Sequence, residues 1–133
     1  MTTSFSRWLE YFDVSQFMPH GHCYQWRPDL VAMHAISDAV ITVSYFSIPI
    51  ALTYVVYRSN NRLPFHKVFL LFSIFILACG TTHLLEIVNI WRSEYYLSGV
   101  AKVVTAIASI ATALSLIPIL PKVVIRFEDD RVL

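Results

Sequence analysis

Three apolar stretches, Ile36 to Tyr57, Val68 to Ile90 and Ser98 to Leu120, are each long enough to cross a lipid bilayer, and they leave the chain few folds to adopt. A helix rises ~1.5 Å per residue, so ~20 apolar residues span a hydrocarbon core. Lipid offers no partners to backbone N–H and C=O groups, and a helix is the one structure that satisfies them within a single stretch of this length. The connections are short, so the expected fold is an all-α membrane protein of three transmembrane helices packed as a compact up-and-down bundle. Composition agrees: 56% of the 133 residues are hydrophobic and only 14% are charged, against about 25% charged in soluble domains.

Basic residues gather at one end of the spans. Arg58, Arg62 and Lys67 lie in the first loop and Lys122, Arg126 and Arg131 follow the third span, whereas Arg7, Arg27 and Arg92 fall on the other side. The positive-inside tendency then places the C-terminus in the cytoplasm and the N-terminus outside. Residues 1–29 read as an extracytoplasmic segment, 30–122 as the membrane domain, and 123–133 as a cytoplasmic tail or the start of a linker. The first residues lack the basic segment, apolar core and cleavage site of a signal peptide, so the first span is expected to direct insertion itself. Cys79 falls mid-membrane and Cys23 outside it, so the two are not expected to pair with each other. An intermolecular bond through Cys23 stays open.

In the N-terminal segment Phe5, Trp8, Leu9 and Phe12 recur at helical spacing while Arg7, Glu10 and Asp13 fall elsewhere. That pattern reads as a short amphipathic helix on the membrane interface, or as a frayed tail. Met18, His20, His22 and Cys23 then surround Pro19 and Gly21. All four are ligands suited to copper, at the water boundary where an ion would arrive; the alternative is a loop with incidental His and Cys. Tyr24 and Trp26 read as interface anchors, and Pro28 and Asp29 open the first long helix.

Within the spans, Asp38 and Tyr45 lie seven apart and share a face. Pro49 lacks a backbone donor and crowds the Tyr45 carbonyl, which predicts a kink. The second span carries Phe72, Phe75, Ile76, Cys79, His83 and Glu86 on one stripe, with Gly80 beside it admitting a close neighbour. In the third, Lys102, Thr105, Ser109 and Thr112 share a stripe, and small residues recur at Ala101, Thr105, Ser109 and Ala113, the mark of a packed face. Pro118 and Pro121 end that span and leave a short charged tail.

Cys79 and His83 carry the most chemistry. One helical turn puts a sulfur and an imidazole nitrogen on the same face, where they can grip one ion together. Thiolate with imidazole suits Cu(I), whereas zinc normally takes four ligands and no two further Cys or His stand at matching depth. The competing reading makes Cys79 a small buried hydrophobe and His83 an interhelical hydrogen-bonder. Measured from mid-span, His83 lies ~6 Å, Lys102 ~10 Å and Asp38 ~13 Å toward the N-terminal side, with Glu86 at a similar depth. A lone charge there costs ~2.5–3.5 kcal/mol, so these residues are expected to face inward and pair. Lys102 is expected to neutralise Asp38 or Glu86. Glu86, three residues from His83, is a candidate to orient the imidazole from behind, and Thr105 a further candidate for that outer layer. The alternative is a buried polar network that only fixes helix register.

The stretches ISDAVITVSYFSIPIALTYVVY, ILACGTTHLLEIVNIW and AKVVTAIASIATALSLIPILPK resemble, in order and with similar loop lengths, the transmembrane sensor domain of ethylene receptors, over about Cys23 to Lys122. The segment PHGHCYQW is similar to the bacterial branch, whose members often join this module to histidine kinase or other signalling domains, and so favours a bacterial plasma membrane over the endoplasmic reticulum. The resemblance implies a Cu(I) ion that binds ethylene, held by residues matching Cys79 and His83. It implies supporting roles for Asp38, Tyr45, Ile48, Pro49, Ile76 and Lys102, a homodimer, and a signal relayed through the third helix. Two positions depart from the plant pattern: Cys23 stands in a different context from the cysteine that joins plant dimers, and Glu86 replaces a neutral side chain.

No kinase signature, nucleophile triad or nucleotide loop occurs, so no enzymatic activity is expected of this chain, and no nucleic-acid partner. Three other readings stay open: a copper-binding or other small-apolar-ligand sensor without ethylene specificity, a proton-coupled or redox subunit using His83, Glu86, Asp38 and Lys102, and a purely dimerising membrane anchor.

Overall fold

The computed structural model describes residues 4–60 and 62–132; the side chain of Phe5 lies outside the described residues. The elements are α1 (Ser4–Tyr11), α2 (His20–Cys23), α3 (Pro28–Arg58), α4 (His66–Trp91), α5 (Tyr95–Leu116) and α6 (Leu120–Val132), with no strand among the described residues. The helices α3, α4 and α5 are long and apolar enough to cross a membrane. Large apolar side chains stand exposed along them, among them Met33, Val43 and Ile50 on α3 and Val103, Ile107 and Leu114 on α5, while Val56, Ile76 and Ile90 are the buried hydrophobics of the described residues. Water would not tolerate such a surface on a monomer, and lipid is its natural solvent. The chain is an integral membrane protein.

Helix α4 is the hub, because α3, α5 and α2 each pack against it. The reason lies in the spacing of the buried positions. On α3, Asp38, Thr42, Tyr45, Pro49, Leu52 and Val56 alternate four and three residues apart, and all are buried or half-buried. On α4 the matching seam is Ser73, Ile76, Gly80, His83, Ile87 and Ile90. A mean spacing of 3.5 keeps two helices in contact along a left-handed crossing. Gly80 marks a close approach: a Cβ there would lie 3.0 Å from the Phe46 ring and 3.1 Å from Tyr45 Cβ. Pro49 sits buried on this seam, and α3 continues through it.

The seam of α5 has the same spacing and only small residues, Ser98, Ala101, Thr105, Ala108, Thr112 and Ser115. Small side chains let backbones approach, and the hydroxyls beyond Ser98 find partners on their own helix, among them Thr105 to the Ala101 carbonyl and Thr112 to the Ala108 carbonyl, each at 2.7 Å. The packed face expected from the small-residue repeat is therefore used within the chain, although Ala113 is exposed.

One hydroxyl on the α3 seam is different. Thr42 Oγ1 is buried without a hydrogen-bond partner. An unsatisfied buried oxygen costs about 1–3 kcal/mol, so Thr42→Val is expected to raise the unfolding midpoint in detergent by removing that cost. A lowered midpoint would contradict this account of the seam.

The ends of the spans differ from the sequence reading. Helix α5 stops at Leu116, short of Leu120, because Pro118 has no N–H to donate to the Leu114 carbonyl. Pro121 falls in the first turn of α6, where no donor is needed, so the charged tail continues as a helix. At the other terminus α1 is helical rather than frayed. It gives way to a turn in which Ser15 donates its N–H and its hydroxyl to the Asp13 carboxylate, both at 2.9 Å, and these bonds, the backbone one foremost, hold the Asp13 carboxyl below its ordinary range.

Candidate functional site

The seams of α3 and α4 bring Asp38 onto His83. The Nδ1 to Oδ1 distance is 2.7 Å, with the side chains 34% exposed for His83 and 18% for Asp38. An ionised carboxylate only accepts, so a neutral ring making this contact carries its proton on Nδ1 and keeps a lone pair on Nε2 for another partner. Tyr45 stands edge-on to the imidazole, ring centroids 6.1 Å apart at 90°. Cys79, one turn before His83 on α4, is half-buried with a free thiol. Thr82 donates to the Cys79 carbonyl at 2.7 Å, leaving the sulfur outside that bond. Ile76, three residues before Cys79, is buried at 8% exposure.

Glu86 turns the other way. Its Oε1 accepts from Lys102 Nζ at 2.7 Å and from Ser98 Oγ at 3.2 Å, both on α5. The carboxylate on the His83 ring is thus Asp38, while Glu86, the sequence candidate for that role, is engaged with α5. Of the two partners expected for Lys102, Glu86 is the one it meets. The four ionisable residues form two pairs, one on each side of the same stretch of α4, rather than a single cluster.

The remaining candidates spread more widely. Ile48 faces an apolar cavity of about 620 Å³ shared with Leu52, Phe69, Phe72 and Leu116. Pro49 borders a shallow, open apolar groove of about 740 Å³ with Phe46, Thr53, Tyr54 and Leu77. Thr105 spends its hydroxyl on its own helix. In the N-terminal segment, His20 stands 4.0 Å from Glu86 Oε2 and rests on Tyr95, whereas His22 packs edge-on against Trp26 and Cys23 is exposed. Met18 is exposed, and its carbonyl accepts the Tyr95 hydroxyl. The described residues contain no group of three or more His, Cys, Asp or Glu arranged to hold a metal ion.

Ser98 and His34 were not singled out from the sequence. Ser98 lies four residues before Lys102, a spacing that already places both on one face of α5. His34 stacks on Tyr24 with centroids 4.7 Å apart, a contact across a helix start that no periodicity announces.

The arrangement of three spanning helices, a Cys and His one turn apart on the middle one, and an Asp and a Lys supplied by its neighbours can be set beside known proteins. No solved structure matches the chain. The family model described as Ethylene receptor 1-like, N-terminal domain, matches residues 29–125, from the first turn of α3 into α6 and so across all three spans. On that match, which takes in the Cys79–His83 turn and the helices on both sides of it, the chain belongs to the family of ethylene receptor N-terminal domains.

Proposed function

We propose that this chain is a membrane sensor input module that holds Cu(I) between Cys79 and His83, binds ethylene there, and relays occupancy through α5 to an output domain outside this chain. The observation that carries the reading is the 2.7 Å contact between Asp38 and His83. In a neutral imidazole it favours the proton on Nδ1, which leaves the Nε2 lone pair for a metal one helical turn from Cys79. The donor set fits a soft monovalent ion, one thiolate and one neutral imidazole.

Ethylene has no charge and no hydrogen-bonding group, so protein polar groups alone recognise it poorly. When bound, Cu(I) supplies filled d orbitals that donate into the alkene π* orbital. The protein's own residues do the rest. Cys79 provides the anionic soft ligand, His83 the neutral one, and Asp38 holds the ring and strengthens its basicity. Tyr45 and Ile76 wall the turn with apolar surface, and the surrounding lipid admits a small apolar gas while excluding water. Met18, His20, His22 and Cys23 are proposed as the place where copper arrives, at the end of the spans where His20 approaches Glu86. The proposal includes a homodimer and an N-terminus outside the cell.

Copper X-ray absorption on the loaded protein tests the ligand set. The expected spectrum is that of Cu(I) with a sulfur neighbour, and the sulfur contribution disappears in Cys79→Ser. A shell of nitrogen and oxygen alone in the wild-type protein would contradict the assignment.

A further inference from the structure

One carboxylate joins three elements of the fold. Glu86, on α4, accepts from Lys102 and Ser98 of α5, and its second oxygen stands 4.0 Å from His20 Nδ1 of α2. Among the described residues, the side-chain hydrogen bonds and ion pairs that tie α4 to α5 all run through Glu86. Further along α5, the hydroxyls of Thr105, Ser109 and Thr112 are bonded to their own helix. Glu86 is therefore the side-chain polar link between the two helices among the described residues.

Lys102 needs holding. It lies seven residues into α5, ~10 Å from the start of the helix, and its side chain is 59% exposed despite the pair. A lysine at that depth left without a partner extends its stem toward the membrane surface to hydrate its charge. Glu86 opposes that extension. It also lies three residues beyond His83, less than one turn further along α4.

We propose that Glu86 is a positioning residue that holds Lys102 against α4 and thereby couples the His83 turn to α5. The coupling rests on the reading of Cys79 and His83 as the ligand site; the hold on Lys102 does not. If ligand occupancy and the position of α5 are linked, breaking the link must change ligand affinity, typically by about 5–150-fold.

The test has two arms on the membrane-embedded chain. In permeabilised membranes, modification of Lys102 by a membrane-impermeant amine reagent, read by mass spectrometry, is expected to rise severalfold in Glu86→Gln and to stay near wild type in Glu86→Asp. Unchanged modification in Glu86→Gln would overturn the hold on Lys102. In the second arm, labelled-ethylene affinity is measured at equal copper content. Glu86→Gln is expected to keep its copper and shift the affinity by about fivefold or more, and the double exchange Glu86→Lys with Lys102→Glu is expected to restore it. Wild-type affinity in Glu86→Gln, or no recovery in the double exchange, would overturn the coupling. Loss of copper from Glu86→Gln would also overturn it, by making Glu86 part of the metal site. A wild-type chain that binds no ethylene would sink the reading of the site, while the amine-modification arm would still decide the role of Glu86 toward Lys102.

Discussion

His83→Gln is expected to lose copper and ethylene binding together while the protein still inserts and folds. With the imidazole gone, Cys79 alone faces the ion, and the gain from two donors on one helical turn disappears. Linking a second donor in place typically raises overall affinity by about 10²–10⁴-fold, and that factor sets the scale of the loss. Glutamine is the better probe than alanine because its amide can still donate to Asp38. His83→Ala strands that carboxylate, and removing one partner of a buried pair costs about 3–5 kcal/mol, less here because the Asp38 side chain keeps 18% exposure. Cys79→Ser is expected to give the same loss by a different route, since a hydroxyl is a hard donor that stays protonated where a thiol ionises. Copper content by elemental analysis and saturable labelled-ethylene binding in membranes are the readouts. Full binding in either variant would remove that residue from the site.

Asp38→Ala is the second large effect. Asp38 touches only the far nitrogen of His83, so it acts through the imidazole. Outer partners of this kind typically matter by about 10–100-fold in metal affinity. Competition with a Cu(I) chelator should show a loss of that order for Asp38→Ala and a smaller one for Asp38→Asn, whose carbonyl still accepts from Nδ1–H. Equal affinities for all three proteins would mean that the Asp38 contact only fixes helix register. The same comparison separates Asp38 from Glu86, whose substitution is expected to leave copper in place.

Much of this was legible in the sequence because lipid imposes simple rules. The length of the apolar runs determines the spans, and an intramembrane charge announces that it will be paired, as Asp38, Glu86 and Lys102 are. The partners were harder to read. Glu86 stands as close to His83 along α4 as the helix surface allows, yet the seams settle the matter: His83 shares its heptad position with Ile76 and Ile90 and faces α3, whereas Glu86 lies off that seam and meets α5. The alternating spacing of Asp38, Thr42, Tyr45 and Pro49 was present in the chain and would have pointed to the same pairing. The ends of helices were less legible, because Pro118 and Pro121 act together, one ending α5 and the other opening α6. Contacts such as Tyr24 on His34, or Trp26 folded over Gly21 where a Cβ would overlap its ring, depend on backbone turns with positive φ at Gln25 and Trp26 that residue type alone does not announce.

The measurement that bears most directly on the central claim is labelled-ethylene binding to the wild-type chain in membranes as copper is removed with a Cu(I) chelator and then restored. Saturable binding is expected to fall with copper content, to return when Cu(I) is added back, and to fail to return in Cys79→Ser. Ethylene binding that persists in full after the copper has gone would contradict that claim.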